Sequence, residues 1–300
     1  MASSSPDQRR LLVLIGSGPG IGVATASLFA SKGFSVALLS RDDERQQEDA
    51  AKVRSSVTAG EVTVKVESFP VDARDHVALR TALEAVHASL GPPEVVVYNA
   101  ARVGFSQFGE FTPDELLDDF KVNGVGIYTA SVWAMPYLVE LASSSSSQEE
   151  EREENGRRRH PSFLLSGSGI NYSPLPPIFS LSMQKAAQSN LLKTLEQMFG
   201  PQGVHIARLD INGFVREDDE VMAPARCAEQ HWRLSQQDRD SWEHVVDVGM
   251  MDALIAAMKA QGFMLTSSQY PECYHKRGRE APGPFSYAMA SDVAYMTPTP

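Results

Sequence analysis

The chain has 300 residues, 42% of them hydrophobic, which is enough apolar material to bury one sizeable core. No sharp change in composition divides the sequence into two comparable halves, so one domain with additions is expected. The formal net charge of -11 argues against non-specific binding to nucleic acid or to an anionic membrane surface, so any phosphate group must be held locally.

Two cysteines, Cys227 and Cys273, are too few for a disulfide framework in a chain of this length and favour a reducing compartment. Residues 1–10 are polar and lack the apolar segment of a secretory signal. No stretch reaches the ~18 apolar residues that a membrane-spanning helix needs. We therefore expect a soluble, cytoplasmic protein with a flexible N-terminus over residues 1–10.

The first predicted element is a buried strand over residues 11–15, followed by the sequence Gly-Ser-Gly-Pro-Gly-Ile-Gly at residues 16–22. A tight glycine turn between a strand and a small-residue helix lets the backbone approach a pyrophosphate without an intervening side chain. We interpret the stretch as a dinucleotide phosphate loop. The alternative is an ordinary strand-to-helix turn.

The spacing of these glycines resembles the Gly-x-x-x-Gly-x-Gly turn of the short-chain dehydrogenase/reductase family. That resemblance implies a doubly wound α/β (Rossmann) fold and a bound nicotinamide nucleotide. It places four residues of the turn at the cofactor, namely Gly16, Ser17, Gly20 and Ile21.

A second buried strand over residues 34–39 follows a helix that ends at Gly33. Ser40 and Arg41 lie at the carboxyl end of this strand, where a doubly wound sheet binds the adenosine ribose. An acidic residue there would bind a 2′-hydroxyl, whereas a basic residue would bind a 2′-phosphate. Arg41 therefore favours NADP(H), the alternative being an ordinary solvated surface charge.

Strands and helices continue to alternate, as a parallel sheet requires. Residues 42–58 are helix-permissive, residues 62–71 contain a third strand that ends before Asp72, and residues 75–90 form an amphipathic helix. The fourth strand and its exit read Val-Val-Val-Tyr-Asn-Ala-Ala from residue 95. The resemblance implies that Asp72 contacts adenine and that Asn99 and Ala100 contact the chain's cofactor beside its ribose.

A long helical region over residues 113–141 contains Asn123 among apolar neighbours. The resemblance implies that Asn123 holds a water molecule in a proton relay. The alternative is a polar helix residue bonded only to backbone, although a buried asparagine would need a partner.

Residues 143–160 contain a serine run, an acidic cluster and three arginines, which predict a disordered surface insertion. A partner-docking loop that uses the arginines is the alternative.

The fifth strand, over residues 163–165, leads to Ser168, and the helix over residues 179–200 contains Lys185. A sixth strand over residues 204–209 ends near Asn212, beyond which the resemblance implies that Phe214 and Val215 contact the nicotinamide amide. The resemblance extends over residues 10–215.

In the family, a serine at the end of a strand orients the substrate carbonyl, and a tyrosine donates the proton. A lysine four residues later binds the nicotinamide ribose and lowers the tyrosine pKa. Ser168 and Lys185 match, but Leu181 stands in the tyrosine position, and no tyrosine in the chain has a lysine four residues after it. Substitute donors are Tyr172, Ser180 and Ser182; a serine hydroxyl is a poor acid, so Tyr172 is the better one.

The tail predicts a helix over residues 224–233, a second amphipathic helix over residues 242–258 in place of a final strand, and irregular structure beyond Gly262. Residues 216–300 are thus expected to form a helical and irregular extension. The aromatic and methionine side chains there favour core or subunit contact over a substrate pocket.

The sequence supports two functions. The first is an NADP(H)-dependent short-chain oxidoreductase acting on a carbonyl or alcohol group of a small organic substrate, with Ser168, Lys185 and Asn123 in the catalytic site. The second is a catalytically inactive NADP(H)-binding or interaction protein that lost its acid. Neither a metal site nor a nucleic-acid or membrane partner is predicted, and homodimers or tetramers are usual among the family's members.

Overall fold

The computed structural model describes residues 10–57, 64–146 and 159–260. Its seven strands are β1 (Arg10–Ile15), β2 (Phe34–Ser40), β3 (Val66–Pro70), β4 (Val95–Tyr98), β5 (Ser162–Gly167), β6 (His205–Asn212) and β7 (Val245–Gly249). They form one parallel sheet in the order β3-β2-β1-β4-β5-β6-β7. The predicted doubly wound α/β fold is confirmed.

The residues that the structure describes form eight α-helices: α1 (Ile21–Ser31), α2 (Asp43–Ser55), α3 (His76–Leu90), α4 (Pro113–Phe120), α5 (Ile127–Ser146), α6 (Phe179–Phe199), α7 (Pro224–Ser235) and α8 (Met251–Ala260). A π-helix, Lys121–Gly126, joins α4 to α5, and 3₁₀ turns occur at Gly169–Asn171 and Arg239–Ser241. One apolar cluster packs α3, α5 and α6 against the sheet, and a second packs α1, α2 and α7 against the other face.

Both faces of the central strands are therefore buried, which explains why β1, β4 and β5 are almost continuously apolar in sequence. The chain leaves β1 for β2 on one side and returns to β4 on the other side. This reversal opens a crevice at the carboxyl ends of β1 and β4, where doubly wound sheets bind their ligands.

The prediction of one amphipathic helix over residues 242–258 is wrong in its first part. Val245–Gly249 is the seventh strand, paired in parallel with β6, and only Met251–Ala260 is helical. Val246 and Val248 face the core in alternation, the two-residue period of a strand. Short apolar runs fit either period, and pairing with the exposed edge of β6 decides between them.

The predicted insertion over residues 143–160 is shorter than expected at both ends. Helix α5 continues to Ser146, where Ser143 and Ser144 donate hydrogen bonds to the carbonyls of Val139 and Leu141. Arg159 contacts Glu94 at the other end. Residues 147–158 lie outside the described residues, as do residues 1–9 of the predicted flexible start over residues 1–10 and all of the predicted irregular tail beyond Gly262.

No helix within residues 10–57, 64–146 and 159–260 is long and apolar enough to cross a membrane.

Candidate active site

The glycine turn is packed tightly against the exit of β4. Gly16 has a φ of 92°, and a Cβ added there would lie 2.3 Å from the backbone nitrogen of Ala100. Asn99 Nδ2 donates to the Gly16 carbonyl at 2.8 Å, while the Gly16 nitrogen donates to the Leu39 carbonyl at 2.8 Å. The structure thus brings Gly16, Asn99 and Ala100 together at the crevice.

The outer side of the same turn is open and rich in donors. The N–H groups of Ile21 and Gly22 have no acceptor within α1, and no side chain from the described residues caps them, whereas the Val23 N–H donates to the Gly18 carbonyl at 3.1 Å. A Cβ at Gly18 would meet nothing within 4 Å, and one at Gly20 would meet only Pro224 Cγ at 3.9 Å. Ser17 Oγ is buried and has no hydrogen-bond partner in the described part of the chain. These groups fit the phosphates of a nucleotide.

The adenosine edge of the crevice carries basic rather than free acidic groups. Asp42 accepts a hydrogen bond from the Arg45 nitrogen at 3.0 Å and caps α2. Asp72 is bound by the Arg74 guanidinium at 2.7 Å. Burial opposes ionisation of Asp72, but the Arg74 hydrogen bonds and the nearby charge of Arg41 lower its pKa overall. Arg41 itself is exposed beyond β2.

Ser168 lies directly after β5 in a loop fixed by two asparagines. The Gly169 nitrogen donates to Asn212 Oδ1 at 2.7 Å, and Asn171 Nδ2 donates to the Ser168 carbonyl at 2.5 Å. The sequence indicated only that Asn212 lies near the end of the sixth strand. In the structure its side chain fixes the loop that carries Ser168.

Lys185 is buried on α6, and its Nζ donates to the Ser166 carbonyl at 2.7 Å. Burial lowers the pKa of Lys185 to about 8. The charge of Asp210 opposes this shift, and the charge of Arg208 adds to it. The structure therefore brings Lys185 to the strand that ends at Ser168.

Leu181 is buried one turn before Lys185. The two serines beside it have structural partners. Ser180 Oγ donates to Asp119 Oδ2 at 2.7 Å, while Ser182 Oγ donates to the Ile178 carbonyl at 3.1 Å.

Asn123 occupies the π-helix and is fully buried. Its Nδ2 donates to the Asp119 carbonyl at 3.1 Å and to Gln184 Oε1, whose own Nε2 donates to Ser180 Oγ at 2.8 Å. Its Oδ1 has no partner among the residues that the structure describes. Asn123 thus reaches α6 through Gln184, the neighbour of Lys185.

A buried ion pair below the loop was missed by sequence reasoning. Arg208 Nε donates to Asp210 Oδ1 at 2.7 Å, Nη1 to Ser189 Oγ at 2.6 Å, and Nη2 to the Tyr172 hydroxyl. A Cβ at Gly167 would lie 2.4 Å from Asp210 Oδ1, so the pair requires glycine there. The available signal was two opposite charges two residues apart, and therefore on the same face of a strand.

The remaining predicted contacts, Phe214 and Val215, follow β6, where Phe214 is exposed and Val215 is partly buried.

A parallel sheet with a glycine turn at the point where the strand order reverses defines a dinucleotide-binding fold. The family model described as short chain dehydrogenase matches residues 10–147 of the chain.

Known relatives are distant. The chain is 27% identical to the 2,3-dihydro-2,3-dihydroxybenzoate dehydrogenase of Bacillus subtilis over 134 residues, which are 45% of this chain and 49% of that protein. The chain spans about half, or less, of the length of the first curated relatives that it matches.

Many solved structures share the fold, and two of them are compared with the chain. One is the alcohol dehydrogenase of Thermococcus sibiricus with 5-hydroxy-NADP, at a TM-score of 0.67 and 19% identity, covering 80% of this chain and 96% of that one. The other is an NADPH-bound short chain oxidoreductase of Pseudomonas aeruginosa, described as containing an atypical catalytic center. Its TM-score is 0.65 at 20% identity, with 80% and 95% covered.

Proposed function

We propose that the chain is an NADP(H)-dependent oxidoreductase of the short-chain type that acts on a carbonyl or alcohol group of a small organic substrate. The observation that carries this proposal is the glycine turn, where the buried Ser17 Oγ has no partner among the described residues, no side chain caps the start of α1, and the space beside Gly18 is open. The relatives support it, since they are named as dehydrogenases and oxidoreductases.

The residues that would hold the nucleotide follow the crevice from adenine to nicotinamide. Arg41 would bind the 2′-phosphate, because the nearby acidic side chains of Asp42 and Asp72 are occupied by a helix cap and by Arg74. The other proposed contacts are Gly16, Ser17, Gly20 and Ile21 for the phosphates, Asp72 for adenine, Asn99 and Ala100 for the ribose, Lys185 for the nicotinamide ribose and Val215 for the amide.

A bound nicotinamide nucleotide supplies or accepts hydride. Ser168 would hydrogen-bond the substrate oxygen, and Asn123 would hold a water molecule through its unpartnered Oδ1. We propose further that the tyrosine of the family is absent here, with Leu181 in its position.

The test is reduction of a panel of small carbonyl compounds by the purified protein with NADPH. We expect NADPH oxidation that depends on one or more panel members. NADPH binding without oxidation would favour the second candidate, a binding protein without catalysis, which Leu181 supports.

Leu181→Tyr discriminates further between these two functions. Activity gained by an inert parent would indicate a degenerate enzyme, whereas loss of existing activity would show that the native pocket uses Leu181.

A further inference from the structure

We infer that Lys185 itself gives the proton to the substrate oxygen in this chain. The inference rests on the proposed function, since it concerns the reduction of a carbonyl group. It is an inference about which side chain replaces the acid that position 181 lacks.

The side chains next to Leu181 are poor candidates. Leu181 is hydrocarbon throughout. The Ser180 hydroxyl already donates its proton in a hydrogen bond to Asp119, and the Ser182 hydroxyl donates to the Ile178 carbonyl. A serine hydroxyl is in any case a weak acid at neutral pH.

Tyr172, the donor that the sequence favours, has its hydroxyl bound to Arg208. Its hydroxyl accepts a hydrogen bond from Arg208, and the Arg208 guanidinium lies 5.1 Å from the centre of its ring. Arg208 is buried and is fixed in turn by Asp210 and Ser189. Bringing the Tyr172 hydroxyl to the substrate would break its contact with a buried cation, which is costly.

Lys185 has the position and the protons. Its Nζ lies 2.7 Å from the carbonyl oxygen of Ser166, two residues before Ser168, and residues two apart on a strand are about 7 Å apart. An ammonium group has three donors, of which the Ser166 carbonyl uses one. The proposed step therefore requires the substrate oxygen to lie between the Ser168 hydroxyl and Nζ, on the side of the strand end that Nζ already occupies.

The surroundings make the proton easy to release. Nζ is buried, and the carboxylate that acts on it, Asp210, is bound to Arg208 at 2.7 Å. Arg208 adds a like charge from the same strand. A buried ammonium without its own carboxylate loses a proton readily. The pKa of about 8 agrees with this geometry and suits acid catalysis near neutral pH.

The step balances without another reagent. Hydride, supplied by the reduced nicotinamide of the proposed function, forms the new C–H bond, and the C=O π pair moves to oxygen. Nζ gives its proton to that oxygen and keeps the N–H bonding pair. Water then returns a proton to the neutral amine.

Lys185→Arg is the decisive variant, because arginine keeps the charge that binds ribose but does not release a proton. The reaction is reduction of phenanthrenequinone, benzaldehyde and ethyl acetoacetate, with direct titration of NADPH beside it. We expect turnover to fall by ~10²- to 10⁴-fold and the dissociation constant of NADPH to change far less, because the positive charge at the ribose is kept. Lys193→Arg, an exposed position on the same helix, is the matched control and should change neither quantity.

A titration by NMR with isotope-labelled lysine gives a readout that needs no substrate. The resonance absent from Lys185→Arg should titrate near pH 8, below the ordinary lysine value of 10.5, and wild-type turnover should fall above the same pH.

Three outcomes would overturn the inference. A Lys185 resonance that titrates at or above the ordinary value excludes it as the acid. If Lys185→Arg binds NADPH and turns over substrate about as fast as the wild type, Lys185 is not the proton donor, and the proposed function stands. If the wild-type protein reduces none of the probes, the proposed function is contradicted, and so is the role of Lys185 as proton donor.

Discussion

Gly16 joins two requirements at one position, a left-handed backbone and a contact with the exit of β4. Its φ of 92° is strained for any residue with a Cβ, and that Cβ would lie 2.3 Å from the Ala100 nitrogen. The strain alone costs about 1–3 kcal/mol. Gly16→Ala should therefore lower the free energy of unfolding by at least about 2 kcal/mol, measured by urea denaturation.

Gly18 supplies the control within the same turn. It has no neighbour within 4 Å of an added Cβ, and its φ is not positive. Gly18→Ala should stay within about 0.5 kcal/mol of the wild type. Equal stabilities of the two variants would refute the packing that we describe.

Local patterns in the sequence were sufficient for part of the site. The glycine turn, Ser168 and Lys185 each belong to a short segment whose spacing is visible in the chain, and the structure brings Lys185 to Ser166 of β5, two residues before Ser168. The contact of Tyr172 with Arg208 joins positions 36 residues apart, and nothing in either segment signals the other. Long-range polar contacts of this kind follow only from strand pairing.

At the scale of elements, Glu94, which directly precedes β4, binds both the start of β1 and the segment that leads into β5. Its carboxylate accepts two hydrogen bonds from Arg10 at 2.6 and 3.0 Å, one from Arg159 and one from the His160 nitrogen. Glu94 is 1% exposed, so solvent does not screen these contacts. Glu94→Gln should lower the free energy of unfolding by roughly 3–5 kcal/mol at pH 7.

The same clamp should weaken in acid. Burial raises the pKa of Glu94, but the hydrogen bonds and charge of Arg10, with Arg159 and the His160 nitrogen, lower it overall from 4.5. Because the folded-state pKa is below the unfolded one, the stabilisation is complete above pH 4.5 and is lost as the pH falls through the folded value.

The difference in the free energy of unfolding between wild type and Glu94→Gln should therefore shrink as the pH falls below 4.5. Glu84→Gln, at an exposed pair with Arg80, should have almost no effect. A difference that is constant with pH would contradict the clamp.

His231 links α7 to α1 and β5. Its Nδ1 lies 3.1 Å from Thr25 Oγ1 and its Nε2 lies 3.4 Å from Ser166 Oγ, with the ring fully buried. Burial lowers its pKa from 6.5 to about 4, so the unfolded chain binds the extra proton first. The wild type should lose about 3 kcal/mol between pH 6.5 and 4 through this residue.

Comparison with His231→Gln isolates that contribution. Urea denaturation across this pH range should show a shallower loss of stability for the variant. Parallel curves for the two proteins would mean that His231 is not buried as a neutral ring.

The seventh strand shows why element type was harder to predict than fold class. The alternation of strands and helices up to β6 required a parallel sheet. In Val245–Gly249, by contrast, the apolar residues also matched a helix that includes Leu254 and Met258. The unpaired edge of β6, a tertiary feature, selects the strand.

At the scale of the whole molecule, the fold and the chemistry are separate questions, because one fold supports both enzymes and inactive binding proteins. The doubly wound sheet is observed, and residues 10–147 match the short chain dehydrogenase model. The cofactor preference, the compartment and a homo-oligomeric assembly stay predictions. A nucleotide site is the claim on which the proposed reaction depends.

Direct titration of the purified protein with NADPH and, separately, with NADH, without any substrate, tests that claim most directly. We predict that both nucleotides bind and that NADPH binds more tightly, because Arg41 would pair with its 2′-phosphate. A preference for NADH would overturn the role of Arg41 alone. Absence of binding by either nucleotide would contradict the account.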